Sequence, residues 1–339
     1  MINLKNINKI LICNECNSDF EIKYSDDKLN QNFLKCRNCD IQYKIVKDII
    51  IFEKNSNKIK KNYQSQTYSY WWLNSHKNII YDNEASKKIL KSTINLEAKD
   101  FKDKIVLDAG CGNGRFSDFI VEGFPKLYVL ADLSEGIFQA YKKIENKNFD
   151  IIAIKGDLND IPFKPEVFDI VYSWGVIHHT KNPKKTFCKL SKCVKVNGKL
   201  GIYVYKHNPD YNYNNKILFF ISLIRQGLII EPLRFISQFL SPENVKRLFI
   251  PIFYFEKLLG IGIVGCHNNK LKNKFDKDHY FRVVIDRFKT KYASEHSELE
   301  IINWYKKNNF DNLIFGSSPK IGVIGTKSKN KVLEIEVKI

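Results

Sequence analysis

Arginine is scarce in this chain: seven residues, against 48 lysines, make up the 55 basic side chains. The shortage weakens the nucleic-acid reading that a formal net charge of +18 invites, because the planar guanidinium is the side chain suited to bidentate phosphate contacts. Lysine comes here with abundant asparagine and isoleucine, a mix that a biased coding composition produces as readily as a binding surface does. Also missing is any apolar run of membrane-spanning length. The most apolar segment, Lys216–Ile230, is broken by Arg225 and Gln226. Residues 1–12 lack the apolar core and small-residue cleavage site of a secretory leader. A cytoplasmic, reducing location is therefore expected, in which cysteines serve as thiols or metal ligands rather than disulfides. What remains is 339 residues with 44% hydrophobic and 13% aromatic content, enough for one large domain or two smaller ones.

The most informative stretch runs from Lys104 to Arg115. Ile105, Val106 and Leu107 predict a buried parallel strand, which enters the turn Asp108-Ala109-Gly110-Cys111-Gly112-Asn113-Gly114 and then a helix from about Arg115 to Val121. Gly110 and Gly112 let the backbone turn tightly and approach a ligand, and Gly114 lets the helix pack close to the strand. The spacing G-x-G-x-G is shorter than that of dinucleotide binders. Asp108 at the entrance would repel a phosphate and attract an ammonium or sulfonium group, so the turn suits a cationic amino-acid ligand.

Strands and helices alternate from there. Leu127–Ala131 is a second strand ending in Asp132-Leu133-Ser134, and Asp132 stands about 20 residues past the turn, where a ribose-binding carboxylate belongs in a Rossmann-like unit. Ser134 is also placed to cap a helix over Glu135–Asn146. Asp150–Lys155 is a third strand before Gly156-Asp157-Leu158-Asn159-Asp160-Ile161-Pro162-Phe163, and Phe168–Ser173 is a fourth, followed by Trp174 and the pair His178-His179. Asn182-Pro183 opens a helix to about Lys195, with Cys188 and Cys193 as buried thiols. The turn Val196–Lys199 then leads to a fifth strand, Leu200–Tyr205.

These motifs, V-L-D-A-G-C-G-N-G, A-D-L-S, G-D-x-x-x-I-P-F and F-D-I-V-x-S…V-I-H-H, resemble in content and order those of class I S-adenosylmethionine-dependent methyltransferases of the type 11-like group. The resemblance implies a Rossmann-like sheet with helices on both faces and an antiparallel last strand. It implies S-adenosyl-L-methionine bound at Asp108, Gly110, Cys111, Gly112, Gly114, Asp132, Leu133, Asp157, Leu158 and Trp174. In that family the turn lies along the methionine part with the first acid near its amino group. The acid of G-D-x-x-x-I-P-F meets the exocyclic amine of adenine, and Leu158 lies against the ring or supplies a backbone amide.

Cys13-x-x-Cys16 and Cys36-x-x-Cys39 are two identical knuckles, and four thiolates complete a closed tetrahedral zinc shell with no open position for catalysis. A structural zinc is expected, supplying much of the stability of a module too small to fold alone. Phe20–Tyr24 and Gln42–Val46 alternate like short hairpin strands. Residues 34–52 are similar to the zinc ribbon of the tRNA-methyltransferase activator subunit, with Lys44 in place of its proline and Lys47-Asp48-Ile49-Ile50 in place of its glycine-containing turn.

The expected organisation is a zinc ribbon over 10–54, a linker and N-terminal helical cover over 55–100, the cofactor-binding core over 101–205, a helical insertion or lid over 206–290, completion of the core over 291–327 and a tail over 328–339. Tyr68, Tyr70, Trp71, Trp72 and Tyr81 either cover the cleft or pack a helix onto the sheet. In the insertion Ile217–Ile230, Pro232–Leu240 and Asn244–Leu259 have helical periodicity, either as a lid favouring an apolar acceptor or as a subdomain with its own core. Ser297 and Glu300 have capping-box spacing before a helix over Glu298–Asn308, and Phe310–Phe315 with Lys320–Gly325 read as a final hairpin. Position alone makes His179, and after it His178, the catalytic-base candidates; the rival reading is that they build the cleft wall. His296 and His207 rank below them. The expected acceptor is a small molecule, glycan or lipid-like metabolite, methylated on oxygen or carbon. RNA is the alternative, with the ribbon as reader. A non-catalytic partner protein fits less well, because the cofactor set is complete. No oligomeric state is read from the chain.

Overall fold

Ile105, Val106 and Leu107 have no polar group to show to water, so their strand must be covered on both faces, and the sheet grows outward from it. The computed structural model describes residues 3–24, 32–52, 63–75, 83–147, 149–206, 226–259, 277–317, 320–330 and 337–338. Its strands are β1 (Phe20–Lys23), β2 (Asn32–Cys36), β3 (Gln42–Val46), β4 (Ile49–Phe52), β5 (Ile105–Ala109), β6 (Leu127–Asp132), β7 (Asp150–Gly156), β8 (Phe168–Trp174), β9 (Val194–Val204), β10 (Phe310–Phe315), β11 (Ile321–Lys327) and β12 (Val337–Lys338). They form one sheet in the order β1-β2-β3-β4-β7-β6-β5-β8-β9-β11-β10-β12. The five central strands, β7-β6-β5-β8-β9, are parallel, and β11 runs antiparallel to both β9 and β10. This is the Rossmann-like sheet with an antiparallel strand near its end. The strand order reverses between β5 and β8, which is where ligands bind in open sheets of this kind.

Alternation along β5 divides its side chains between two cores. Ile105, Leu107 and Ala109 join a cluster with Phe187, Leu190, Ile301, Trp304 and Tyr305, from the helices Pro183–Cys193 and Glu298–Lys307. Val106 faces the other way, with Leu90, Ile94, Phe119, Ile120, Ile137 and Ala140, from the helices Asn83–Ile94, Ser117–Glu122 and Gly136–Ile144.

The cysteine module is part of this sheet. Strand β4 pairs in parallel with β7, from Ile49↔Ala153 to Phe52↔Gly156, so the small antiparallel ribbon β1–β4 extends the large sheet. Cys13, Phe20, Leu34, Cys36 and Phe52 lie in the same cluster as Leu107 and Val129. The turn lacking glycine is made by Lys47 and Asp48, both in the left-handed region (φ 50° and 60°).

Two further expectations need correction. The turn expected at Val196–Lys199 is absorbed into β9, which begins at Val194 and shifts register against β8. Asn197 takes φ 65°, which a short amide side chain tolerates. Ser297 accepts from the Glu300 amide (3.1 Å), but the Glu300 carboxylate turns to His296 (3.0 Å) instead of closing the box.

The chain divides into two compact units, one of Met1–Ile59, Ile80–Lys206 and Ser294–Ile339, the other of Lys60–Ile79 and His207–Ala293. The expected 55–100 segment is thereby split: Tyr63–Tyr70 belongs to the second unit and Asn83–Ile94 to the first. The second unit contains the helices Glu231–Phe239, Pro242–Leu259 and Lys277–Val284 around a core of Val245, Phe249, Phe253, Tyr280, Val284 and Phe288. Trp71 packs against that core and donates to the Arg282 carbonyl (3.3 Å). Among the described residues no helix is long and apolar enough to cross a membrane. The Glu53–Lys61 linker, Tyr81, His207, most of Ile217–Ile230, and Cys266 with His267 lie outside the described residues.

Candidate functional site

Beyond Ala109 the chain must reverse within a few residues and still bond its amides. Gly110, Gly112 and Gly114 take φ of 94°, 56° and 76°, a region that side chains rarely allow. The Gly110 and Cys111 amides donate to the Ala131 carbonyl (2.7 and 3.1 Å), and the Gly112 amide donates to Asp132 Oδ2 (2.7 Å). A Cβ on Gly110 would stand 2.3 Å from Val176 Cγ2. The close approach at Gly110 is therefore to the β8 loop, where the sequence suggested a ligand. At Gly114 a Cβ would stand 2.9 Å from Ala140 Cα, so this glycine seats the turn against the helix Gly136–Ile144. The Cys111 thiol is buried and pushed well above its ordinary pKa by that burial, which leaves its backbone as the available part.

The three acids differ in surroundings. Asp132 is buried; Oδ1 accepts from the Ser134 amide (2.7 Å) and hydroxyl (2.6 Å), while Oδ2 accepts from Gly112. Burial raises its pKa, and the Ser134 and Gly112 donors pull it back. Ser134 also accepts from the Gly136 amide (3.3 Å), but the N-cap of the helix Gly136–Ile144 is Glu135, which makes no side-chain cap, so the cap expected at Ser134 is not formed. Asp108 is 3% exposed and accepts from the Tyr128 hydroxyl (3.1 Å), which lies 3.3 Å from that of Tyr172. Burial pushes its carboxyl up to about 7, against the pull of the Tyr172 and Tyr128 hydroxyls. Asp157, half-buried at the end of β7, accepts from the Asn159 amide (2.8 Å) and side chain (3.1 Å) through Oδ1, and among the described residues Oδ2 carries no hydrogen bond. Leu133 is half-buried beside Asp132. Leu158 packs into the core with Ile161 and Phe163, so its side chain is not free to lie against a base; only its backbone remains.

Trp174 is held by protein. Its ring stacks on Tyr203 (4.7 Å, 8°), its indole donates to Thr93 Oγ1 (3.0 Å), and the Arg115 guanidinium lies 4.9 Å from the ring centroid. It joins the turn to β8 and β9 as part of the wall. His178 is fully buried against His179 (4.1 Å) and Tyr205 (3.9 Å), with neither ring nitrogen partnered among the described residues. Burial, then the neighbouring His179, drives its pKa well below the ordinary value, so it is neutral and a weak base. His179 is 5% exposed.

His296, the lower-ranked histidine, has the most developed surroundings. Nδ1 stands 3.0 Å from Glu300 Oε2, and Nε2 stands 2.9 Å from Ser294 Oγ, which is itself 3.1 Å from the His178 carbonyl oxygen. With Nδ1 protonated toward the carboxylate, Nε2 and the His178 carbonyl compete for the single Ser294 hydroxyl proton. His296 lies before the helix Glu298–Lys307 and its Ser297 cap, so helical spacing does not signal this pair in the sequence.

At the other end of the sheet, Cys13, Cys16, Cys36 and Cys39 bring their sulfurs within 4.8 Å of one another, with Cys13–Cys39 at 3.6 Å and Cys16–Cys36 at 3.3 Å. Zinc bound to four sulfurs would separate them by about 3.8 Å. The cysteines fit that shell.

Residues 107–202 match the family model described as a methyltransferase domain. This chain carries a methyltransferase domain. The tRNA U34 carboxymethyltransferase of Helicobacter acinonychis is 34% identical over 107 residues, covering 30% of this chain and 41% of that protein. Protein arginine N-methyltransferase 1 of Schizosaccharomyces pombe is 34% identical over 115 residues (33% of each chain), and sterol 24-C-methyltransferase of Clavispora lusitaniae is 26% identical over 176 residues (47% and 45%). The chain thus spans less than half the length of these relatives. A solved structure of magnesium protoporphyrin IX methyltransferase from Synechocystis PCC 6803 is 13% identical, covering 78% of this chain and 97% of that one at a TM-score of 0.45. The residues around the methyltransferase domain's glycine turn, Asp108 to Trp174, fall inside the matched range, while the four cysteines and His296 fall outside it.

Proposed function

We propose that this chain transfers a methyl group from S-adenosylmethionine to a small-molecule, glycan or lipid-like acceptor. The observation that carries the cofactor is the clamp of Asp132 on the Gly112 amide at the strand-order reversal, with Asp157 Oδ2, one strand further on, carrying no hydrogen bond among the described residues. Asp132, held by the Gly112 and Ser134 donors at the end of β6, is an acceptor-only group of the kind that suits ribose hydroxyls. Asp157 Oδ2 suits an exocyclic amine, and Asp108 adds negative charge under the turn once ionised. When bound, the cofactor supplies an activated methyl on a sulfonium, and alignment of the acceptor provides most of the acceleration.

For an acceptor that must lose a proton, His179 and His296 are the candidate imidazoles, and the Glu300 contact orients the second. The apolar acceptor rests on the second unit, which leaves Leu228, Phe235, Phe239 and Leu258 exposed. Zinc in the four-cysteine shell completes the proposal as a structural ion. Calorimetry with S-adenosylhomocysteine is expected to show binding that Asp132→Ala removes. Incubation with radiolabelled cofactor and separate lipid, metabolite and RNA fractions is expected to label the first two; label in RNA alone would replace the acceptor reading. Given a labelled acceptor, His179→Ala and His296→Ala should lower kcat by about 100-fold or more if either is the base.

A further inference from the structure

Asp157 sits between two attachments to the cysteine module. Just before it, Gly156 pairs with Phe52 of β4, so closely that a Cβ on Gly156 would meet Phe52 Cβ at 2.9 Å. Just after it, the loop is bonded to the segment leading into the first knuckle. The Ile12 amide donates to the Pro162 carbonyl (3.0 Å), the Lys164 amide donates to the Ile10 carbonyl (2.8 Å), and Leu11 bridges Phe163. Asn14, between the two cysteines of that knuckle, donates to the Asp160 carbonyl (3.2 Å). The Lys164 ammonium reaches the Asn8 carbonyl (2.6 Å) and Asp19 (3.0 Å). Ile161 and Phe163 share a core cluster with Cys13.

We propose that the segment Ile10–Asn14 is a positioning element for the Asp157 loop, so that an intact four-cysteine shell sets the affinity for the nucleoside end of the cofactor. The proposal rests on the cofactor reading above. Four sulfurs gathered on one ion fix Cys13 and Cys16, and through them the backbone that holds Asp160–Lys164. Without that anchor the loop has other conformations available, and only the fraction with Asp157 in place binds. The effect belongs to the adenine amine and not to the whole ligand, because the glycine turn and Asp132 are held by β5 and β6.

The test uses the full metal-loaded chain and two ligands, S-adenosylhomocysteine and S-inosylhomocysteine, in which the exocyclic amine is replaced by a carbonyl. Ile12→Pro removes the amide bonded to Pro162; Leu11 already has the extended conformation (φ −114°, ψ 153°) that a following proline requires. Calorimetry is expected to show S-adenosylhomocysteine weakened about two- to tenfold in Ile12→Pro with metal content unchanged, the range for one lost backbone hydrogen bond. Chelation should weaken it by more, while S-inosylhomocysteine changes little in either case. Lys44→Ala, exposed on β3, should match wild type. Equal affinity for S-adenosylhomocysteine in wild type, Ile12→Pro and chelated protein overturns the proposal. So does equal weakening of both ligands, which signals general damage. If loaded wild type binds neither ligand, the cofactor reading itself fails.

Discussion

Gly110 shows how one missing side chain holds two loops together. Its φ of 94° and the 2.3 Å that would separate a Cβ from Val176 leave no room for alanine. Gly110→Ala is expected to lower stability by about 2–4 kcal/mol, with Val176→Ala recovering only some of the steric cost, because the Val176 Cβ itself would stand 2.9 Å away, and none of the backbone strain; chemical denaturation of the single and double variants measures both. Asp108 makes the complementary electrostatic case. Its carboxyl rises from the ordinary 3.8 to about 7, so the folded chain keeps a proton there that the unfolded chain releases. Stability from this group is fully present below the lower value and is lost as pH rises through the upper one. Asp108→Asn cannot ionise, so it should gain on wild type by roughly 2–4 kcal/mol between pH 4 and 8 in the ligand-free chain. A difference in unfolding free energy that stays flat with pH would show that Asp108 is not raised.

Among the elements, the β3–β4 turn departs most from local preference. Lys47 and Asp48 both take left-handed conformations to let a two-residue turn match the twist of its strands. The adjoining β4 is anchored to β7, which outweighs that cost. Lys47→Gly should therefore stabilise the chain by about 1 kcal/mol, read as a rise in midpoint on thermal unfolding. The glycine turn, the Asp132 acid, the Asp157 loop and the helix starting at Pro183 were legible because each depends on chemistry within a few residues: glycine's φ, a strand's end, an asparagine cap. The Asn182 side chain does accept from the Lys185 amide (3.0 Å). The Ser294–His296–Glu300 arrangement and the enclosure of Trp174 were less legible. Trp174 is enclosed by Thr93, Arg115 and Tyr203, which lie far apart in sequence and meet only once the sheet is assembled.

At the scale of the molecule, the ribbon and the central sheet share one hydrophobic cluster and one hydrogen-bonded ladder. With zinc in the four-cysteine shell, as proposed, its removal should accordingly lower the unfolding temperature of the first unit as a whole. Hydrogen exchange is expected to rise in β7 along with β1–β4, whereas a separate ribbon would loosen alone. Periodicity, glycine spacing and the paired knuckles determined by themselves the alternating sheet, the glycine turn and the four-sulfur cluster, since local conformation and ligand count are written in nearby residues. Only the tertiary structure decided that β4 docks on β7, that the 63–75 and 83–94 helices belong to different units, and that Leu158 turns inward. Those outcomes depend on which apolar faces find each other across long stretches of chain, and many pairings bury similar area until all of them compete at once.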